Sequence, residues 1–166
     1  MIDTIIEKAK SRGAEEGKEI SPEKVYTARW VRLKCQYGCG RYDTNLTCPP
    51  YTPDPEATRK ILEEYDSAVL IHFPSGVNGI KEIMAELERE AFLSGFYKTF
   101  GFGAGPCDLC EDCRLEEGCV HPHKARPAME ACGINVYKTV REAGYPIEVV
   151  KNRDCMQNYY GLLLLE

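Results

Sequence analysis

At 166 residues, with 43% hydrophobic and 28% charged residues, the chain is long enough to form one globular domain that buries a core without covalent staples. A formal net charge of −5 excludes a general nucleic-acid binder, because phosphate contacts need clustered Lys and Arg. No apolar run nears the roughly 20 residues of a membrane span and the N-terminus mixes charges into its apolar residues, so the expectation is a cytoplasmic protein without membrane attachment, its thiols reduced.

From Asp3 to about Glu16, with Ile2, Ile5, Ile6 and Ala9 at helical spacing, the pattern predicts a short amphipathic helix, weakened and ended by Gly13 and Gly17. Val25 to Cys35 alternates: Val31, Leu33 and Cys35 fall on one side, Arg32 and Lys34 on the other, as in a half-buried strand. The stretch through Cys39 and Cys48 to Pro49 and Pro50 holds Gly38, Gly40, Asp43 and Asn45 and reads as irregular loop. Asp54 as N-cap and Pro55 in the first turn start a helix that runs to about Tyr65. Ser67 to Pro74 is a continuous apolar run, expected to be a central strand buried on both faces, with His72 as a core histidine.

Gly79 to about Tyr97 is the longest predicted helix. Ile80, Ile83, Met84, Leu87 and Ala91 form its core face, and Lys81, Glu82, Glu86, Glu88 and Arg89 its solvated face. Lys98 to Pro106 is glycine-rich without the spacing of a dinucleotide-binding loop. Its glycines either let bare backbone approach a metal centre or mark a strand with close packing. Pro127 suits the first turn of a short helix closed by Gly133, with Cys132 at its end, and Asn135 to Gly144 predicts a further helix. Pro146 to Lys151 and Tyr159 to Glu166 predict an antiparallel hairpin around a polar turn that holds Cys155, the spare cysteine.

Nine cysteines are too many for ordinary core use, and they cluster. Cys107, Cys110 and Cys113 stand at two-residue gaps, with Cys119 five residues on, close to the ferredoxin run but with a longer last gap and a shifted proline. Zinc sites usually draw on two separated Cys-x2-Cys pairs, so the triplet points first to an iron–sulfur cluster and second to zinc. Cys35, Cys39 and Cys48, followed by two prolines, form a second group whose gaps match no general metal pattern. His121 and His123 are further metal-ligating types, read here as hydrogen-bond donors or surface residues, and Arg126 as an offset to the charge of a cluster. Asp108, Glu111, Asp112, Glu116 and Glu117 against Arg114 make the cluster loop acidic, a face that would steer a basic redox partner or simply be solvated.

Taken together, Cys35-x3-Cys39-x8-Cys48-Pro-Pro, the Gly105 to Pro122 run, Arg126-Pro-x-Met-Glu-Ala-Cys132-Gly-Ile and Tyr160-Gly-Leu-Leu-Leu resemble a prokaryotic family of predicted metal-binding proteins, a domain of unknown function. The resemblance covers about Val25 to Glu166 and implies metal binding through these cysteines, as iron–sulfur clusters. It implies no particular reaction.

The expected fold is α/β or α+β: a single metal-binding domain, residues 1–166, around a mixed sheet of about four to five strands with the cysteine loops at one end. Eight ligands fall into two sites, Cys107, Cys110, Cys113 and Cys119 in one, and Cys35, Cys39, Cys48 and Cys132 in the other. Cys119 and Cys132 are exchangeable in this assignment, since the last cysteine of a ferredoxin run serves the other cluster. Three functions are open: an electron carrier with one or two [4Fe-4S] clusters, an enzyme with a three-cysteine cluster and one open iron, and a zinc-stabilised binding module.

Overall fold

Two strands carry most of the apolar content of the sheet. The computed structural model describes residues 1–166 and has β2 (Ser67–Pro74) and β4 (Asn158–Leu165) paired antiparallel along their whole length, Ser67 opposite Leu165 and Pro74 opposite Asn158. Short edge strands flank them, β1 (Glu16–Ile20) beside β2 and β3 (Phe100–Phe102) beside β4, giving the order β1-β2-β4-β3. Every pair of strands is antiparallel, so the sheet is not the expected mixed one and the fold is α+β.

Both faces of the central pair are covered, which is why Ala68 to Ile71 and Leu162 to Leu165 are apolar without alternation. Val69, Ile71, Phe73, Leu163 and Leu165 face α1 (Ile2–Ser11) and α4 (Ile80–Leu93), packing with Ile5, Ala9, Met84 and Leu87. Ala68, Leu70, Tyr160, Leu162 and Leu164 face the opposite layer, made by α3 (Pro55–Leu62), a one-turn 3₁₀ segment (Glu130–Cys132) and α5 (Val136–Glu142). Each fully buried leucine contributes about 2 kcal/mol. His72 is a core histidine, 5% exposed, stacked on Tyr160 with its Nε2 2.7 Å from Asn158 Oδ1. No helix is long and apolar enough to cross a membrane.

Three expected elements differ. The first helix stops at Ser11, and Glu16–Ile20 is a strand; at a sheet edge only Ile20 is buried, so the strand is polar enough to imitate a helix end. Val25 to Cys35 is no strand. Arg29–Gly38 is helix α2, which buries Val31 and leaves Leu33 56% exposed. The alternation was coincidental, and Arg, Leu, Lys and Gln favour helix. The segment Pro146 to Lys151 is irregular, and β4 pairs with β2 and β3 instead of a hairpin partner; Pro146 O accepts the Tyr160 hydroxyl.

Glycine settles three close approaches. A Cβ on Gly101 would lie 3.0 Å from Met84 O, and one on Gly103 3.0 Å from Lys81 Cα, so these glycines let β3 and the residue after it press on α4. Gly133 ends the 3₁₀ turn at φ +79, where a Cβ would stand 2.9 Å from Pro55 Cα. Gly144 has a similar φ of +88 with nothing within 4 Å. Gly144→Ala should therefore cost about 1 kcal/mol of conformational strain, and Gly133→Ala roughly 2 kcal/mol more, because backbone must also move. Urea denaturation of both variants checks the order; equal losses would contradict it.

Candidate metal centre

Helix α2 sets the first group of thiols. Cys35 and Cys39 are four residues apart and share one face at its C-terminal end, where Cys39 leaves the helix at φ −128, ψ 127. The chain then folds back on itself: Asp43, at φ +59, donates its N–H to Pro49 O (2.8 Å), and Cys48 donates to Asn45 O (3.0 Å). Cys48 ends up buried while Cys39 is exposed and Cys35 lies between these extremes. All three line one cavity of ≈ 370 Å³ with largely apolar walls. Cys132 is 1% exposed, part of the core, and does not line it; its neighbours Glu130 and Ala131 do. The Cys35 thiol stands 3.9 Å from Glu130 O, two residues before Cys132.

The second group is set by a loop. Cys107, Cys110, Cys113 and Cys119 line a narrow cavity of ≈ 20 Å³, about the room of one water, together with Asn45, Leu46 and Thr47. The Leu46 N–H donates to Cys113 Sγ at 3.4 Å. Thr47 lines both cavities, and Cys48 lines the larger. One segment, residues 45–48, thus separates the two groups of thiols. Successive Cα atoms are ~3.8 Å apart, so the residue bonded to Cys113 and the one bearing the Cys48 thiol are no more than about 7.6 Å apart.

From Ala104 to Pro127 no residue is buried. Few backbone hydrogen bonds lie within this stretch, among them Gly118 N–H to Arg114 O and Ala125 N–H to His121 O. Besides the Leu46 bond to Cys113, ion pairs tie it to the body. Lys81, expected on a solvated face, is 6% exposed, and its Nζ reaches Asp108 Oδ1 at 2.9 Å. Nothing in the helical pattern marks Lys81 as buried; only Gly103, which lets the chain cross directly over it, hints at the contact. Arg126 is not free to offset cluster charge: it forms a two-pronged pair with Glu88, 2.7 Å at each contact. The cations beside the thiols are Arg32, near Cys35 and Cys132, and Lys81, near Cys107.

Burial pushes the Cys35, Cys48 and Cys107 thiols up from their ordinary value, with Arg32 opposing it at Cys35, and the Leu109 N–H and then Lys81 opposing it at Cys107. Cys132, deepest of all, is pushed up to about 12 by burial. These thiols are protonated at neutral pH in the absence of a bound cation, so ligation must release protons.

In this conformation no three His, Cys, Asp or Glu side chains converge closely enough to hold a metal ion. The donor chemistry nevertheless fits a thiolate-bound centre: four thiols share one cavity, three share the other, and a backbone N–H already points at a sulfur. His121 and His123 line neither thiol cavity, and Cys155 sits apart with its thiol 3.4 Å from Asn152 Oδ1.

Two outcomes follow from the unburied stretch. Stripping metal from the protein should raise amide exchange between residues 104 and 127 while β2 and β4 stay protected; uniform protection would contradict a metal-ordered loop. Lys81→Met should raise exchange around Asp108 yet lower global stability by less than about 1 kcal/mol, because Asp108 is left in water rather than buried unpaired.

Comparison with known proteins supports metal binding at the coarse level. No curated protein and no solved structure matches the chain. The model of one family, described as "Predicted metal-binding protein (DUF2284)", matches residues 18–165, which takes in all nine cysteines and every strand except the first two residues of β1. The chain belongs to this family of predicted metal-binding proteins.

Proposed function

We propose that the protein holds iron–sulfur clusters at its two cysteine groups and carries electrons for a redox partner. The single observation behind this reading is the shared segment: Thr47 lines both cavities, with a bond to Cys113 from one side of it and the Cys48 thiol on the other. Two centres so close are arranged for electron passage between them. A [4Fe-4S] cluster supplies one-electron storage when bound.

The chain's own residues supply the rest. Cys107, Cys110, Cys113 and Cys119 would hold one centre, and Cys35, Cys39 and Cys48 the other, with Cys132 the candidate for its fourth ligand. The Leu46 N–H would stabilise negative charge on Cys113, while Arg32 and Lys81 offset it at Cys35 and Cys107. Glu111, Asp112 and Glu116 are exposed and belong to no ion pair, which leaves an acidic face for a basic redox protein.

A second reading is favoured by the position of Cys132. It is buried in the core and does not line the larger cavity, which meets only three thiols. A centre held by three cysteines keeps a coordination position for a substrate, which would make the protein an enzyme.

Anaerobically purified protein should be brown, with iron and acid-labile sulfide in near-equal amounts and about eight irons per chain if both groups carry four-iron clusters. Cys113→Ser and Cys48→Ser should each remove about half of that iron, and Cys155→Ser none. Cys132→Ser separates the two readings: lost iron favours full thiolate ligation, unchanged iron the three-cysteine centre. A colourless, folded protein with stoichiometric zinc would falsify the cluster assignment.

A further inference from the structure

The larger cavity exceeds what three sulfurs need. At ≈ 370 Å³ it falls within the range of small-molecule sites, and its walls share their character: mostly apolar, with few charged groups. Three aromatic side chains line it, Trp30 and Tyr42 from the cysteine-bearing segment and Tyr137 from α5. Its floor is buried, with Cys48, Ala131 and Ile134, whereas its charged rim residues Lys34 and Arg41 are exposed. Neither of those cations forms an ion pair, although most other arginines and several lysines of the chain do. They outnumber the one carboxylate in the wall, Glu130.

We propose that this cavity is a binding site for a small planar aromatic carboxylate, its ring between the aromatic walls and its carboxylate at Lys34 and Arg41, with the ring edge toward Cys35, Cys39 and Cys48. Flat apolar walls accept a ring by stacking, and a ring there displaces water from apolar surface. Two unpaired cations at the rim recognise the anionic end, and a guanidinium does so with two parallel hydrogen bonds. The placement beside a metal centre rests on the cluster reading above; the pocket and its polarity do not. Held in this way, the ligand would lie against the centre that the three thiols would hold.

The probe is benzoate, titrated calorimetrically into anaerobic protein whose iron and sulfide have been measured, beside benzyl alcohol as a neutral ring and acetate as an anion without one. Benzoate should bind saturably, with benzyl alcohol and acetate each at least about tenfold weaker. The Lys34→Gln, Arg41→Gln double variant alters only exposed side chains, so it should fold, bind benzoate about tenfold more weakly and leave benzyl alcohol unchanged. Trp30→Ala, also on the surface side, should weaken both rings. Benzoate should also change the electron paramagnetic resonance of the reduced protein. Iron-replete protein that gives no saturable heat with benzoate overturns the ligand site alone. Acetate binding as well as benzoate, or a double variant that binds benzoate normally, overturns the assigned chemistry. A preparation without iron or sulfide overturns the cluster reading, and with it the placement of the ligand beside a metal centre.

Discussion

The pairing of β2 with β4 is what the rest of the molecule leans on. Eight residues of each strand run opposite one another, and both faces of the pair are dry. One face receives α1 and α4, the other α3, α5 and the 3₁₀ turn that ends in Cys132. The second layer also fixes α2: the N–H of Ala28, its N-cap, donates to Gly133 O, and Asn135 donates to Tyr26 O. Cys35 and Cys39 inherit their positions from that contact. Core packing therefore places the helix that carries Cys35 and leads into Cys39.

The second group has no such support. Its loop leaves β3, buries nothing for two dozen residues, and returns to the core at Ala128. Such a length of polar chain cannot offset its own ordering entropy, at ~1–2 kcal/mol per residue, through contacts it does not make. Lys81, Glu88 and the Leu46 N–H anchor it to the body through Asp108, Arg126 and Cys113. Under the cluster reading the inorganic centre supplies what apolar burial does not, and the protein divides into a body that folds by itself and a loop that folds by ligation. The two meet at residues 45–48.

Much of this was legible from residue order because the strongest signals were strong physically. The unbroken apolar runs at Ala68–Ile71 and Leu162–Leu165 state burial on two faces, and Asp54 with Pro55 states a helix start; Asp54 does accept the Ala57 N–H at 2.8 Å. The failures have a common cause. Glu16–Ile20 and Arg29–Gly38 are surface elements whose local pattern is weak, and pairing or packing elsewhere decides them. Cys35-x3-Cys39 could not decide it, since a gap of four positions puts two side chains on one face of a helix and of a strand alike. The division of the cysteines into two groups was legible from spacing. The segment that separates them was not, because the bond from Leu46 to Cys113 joins residues far apart in the chain, and neither was the aromatic cavity, whose walls come from four separate stretches.

The central claim is that residues 45–48 lie between two metal centres, each bounded by its own cysteines. Anomalous diffraction from anaerobically grown crystals, recorded on both sides of the iron absorption edge, tests it directly. The account predicts two iron peaks, one among Cys107, Cys110, Cys113 and Cys119 and one against Cys35, Cys39 and Cys48, with Thr47 between them. A single peak drawing on cysteines of both groups, or no iron signal beside either, would contradict it.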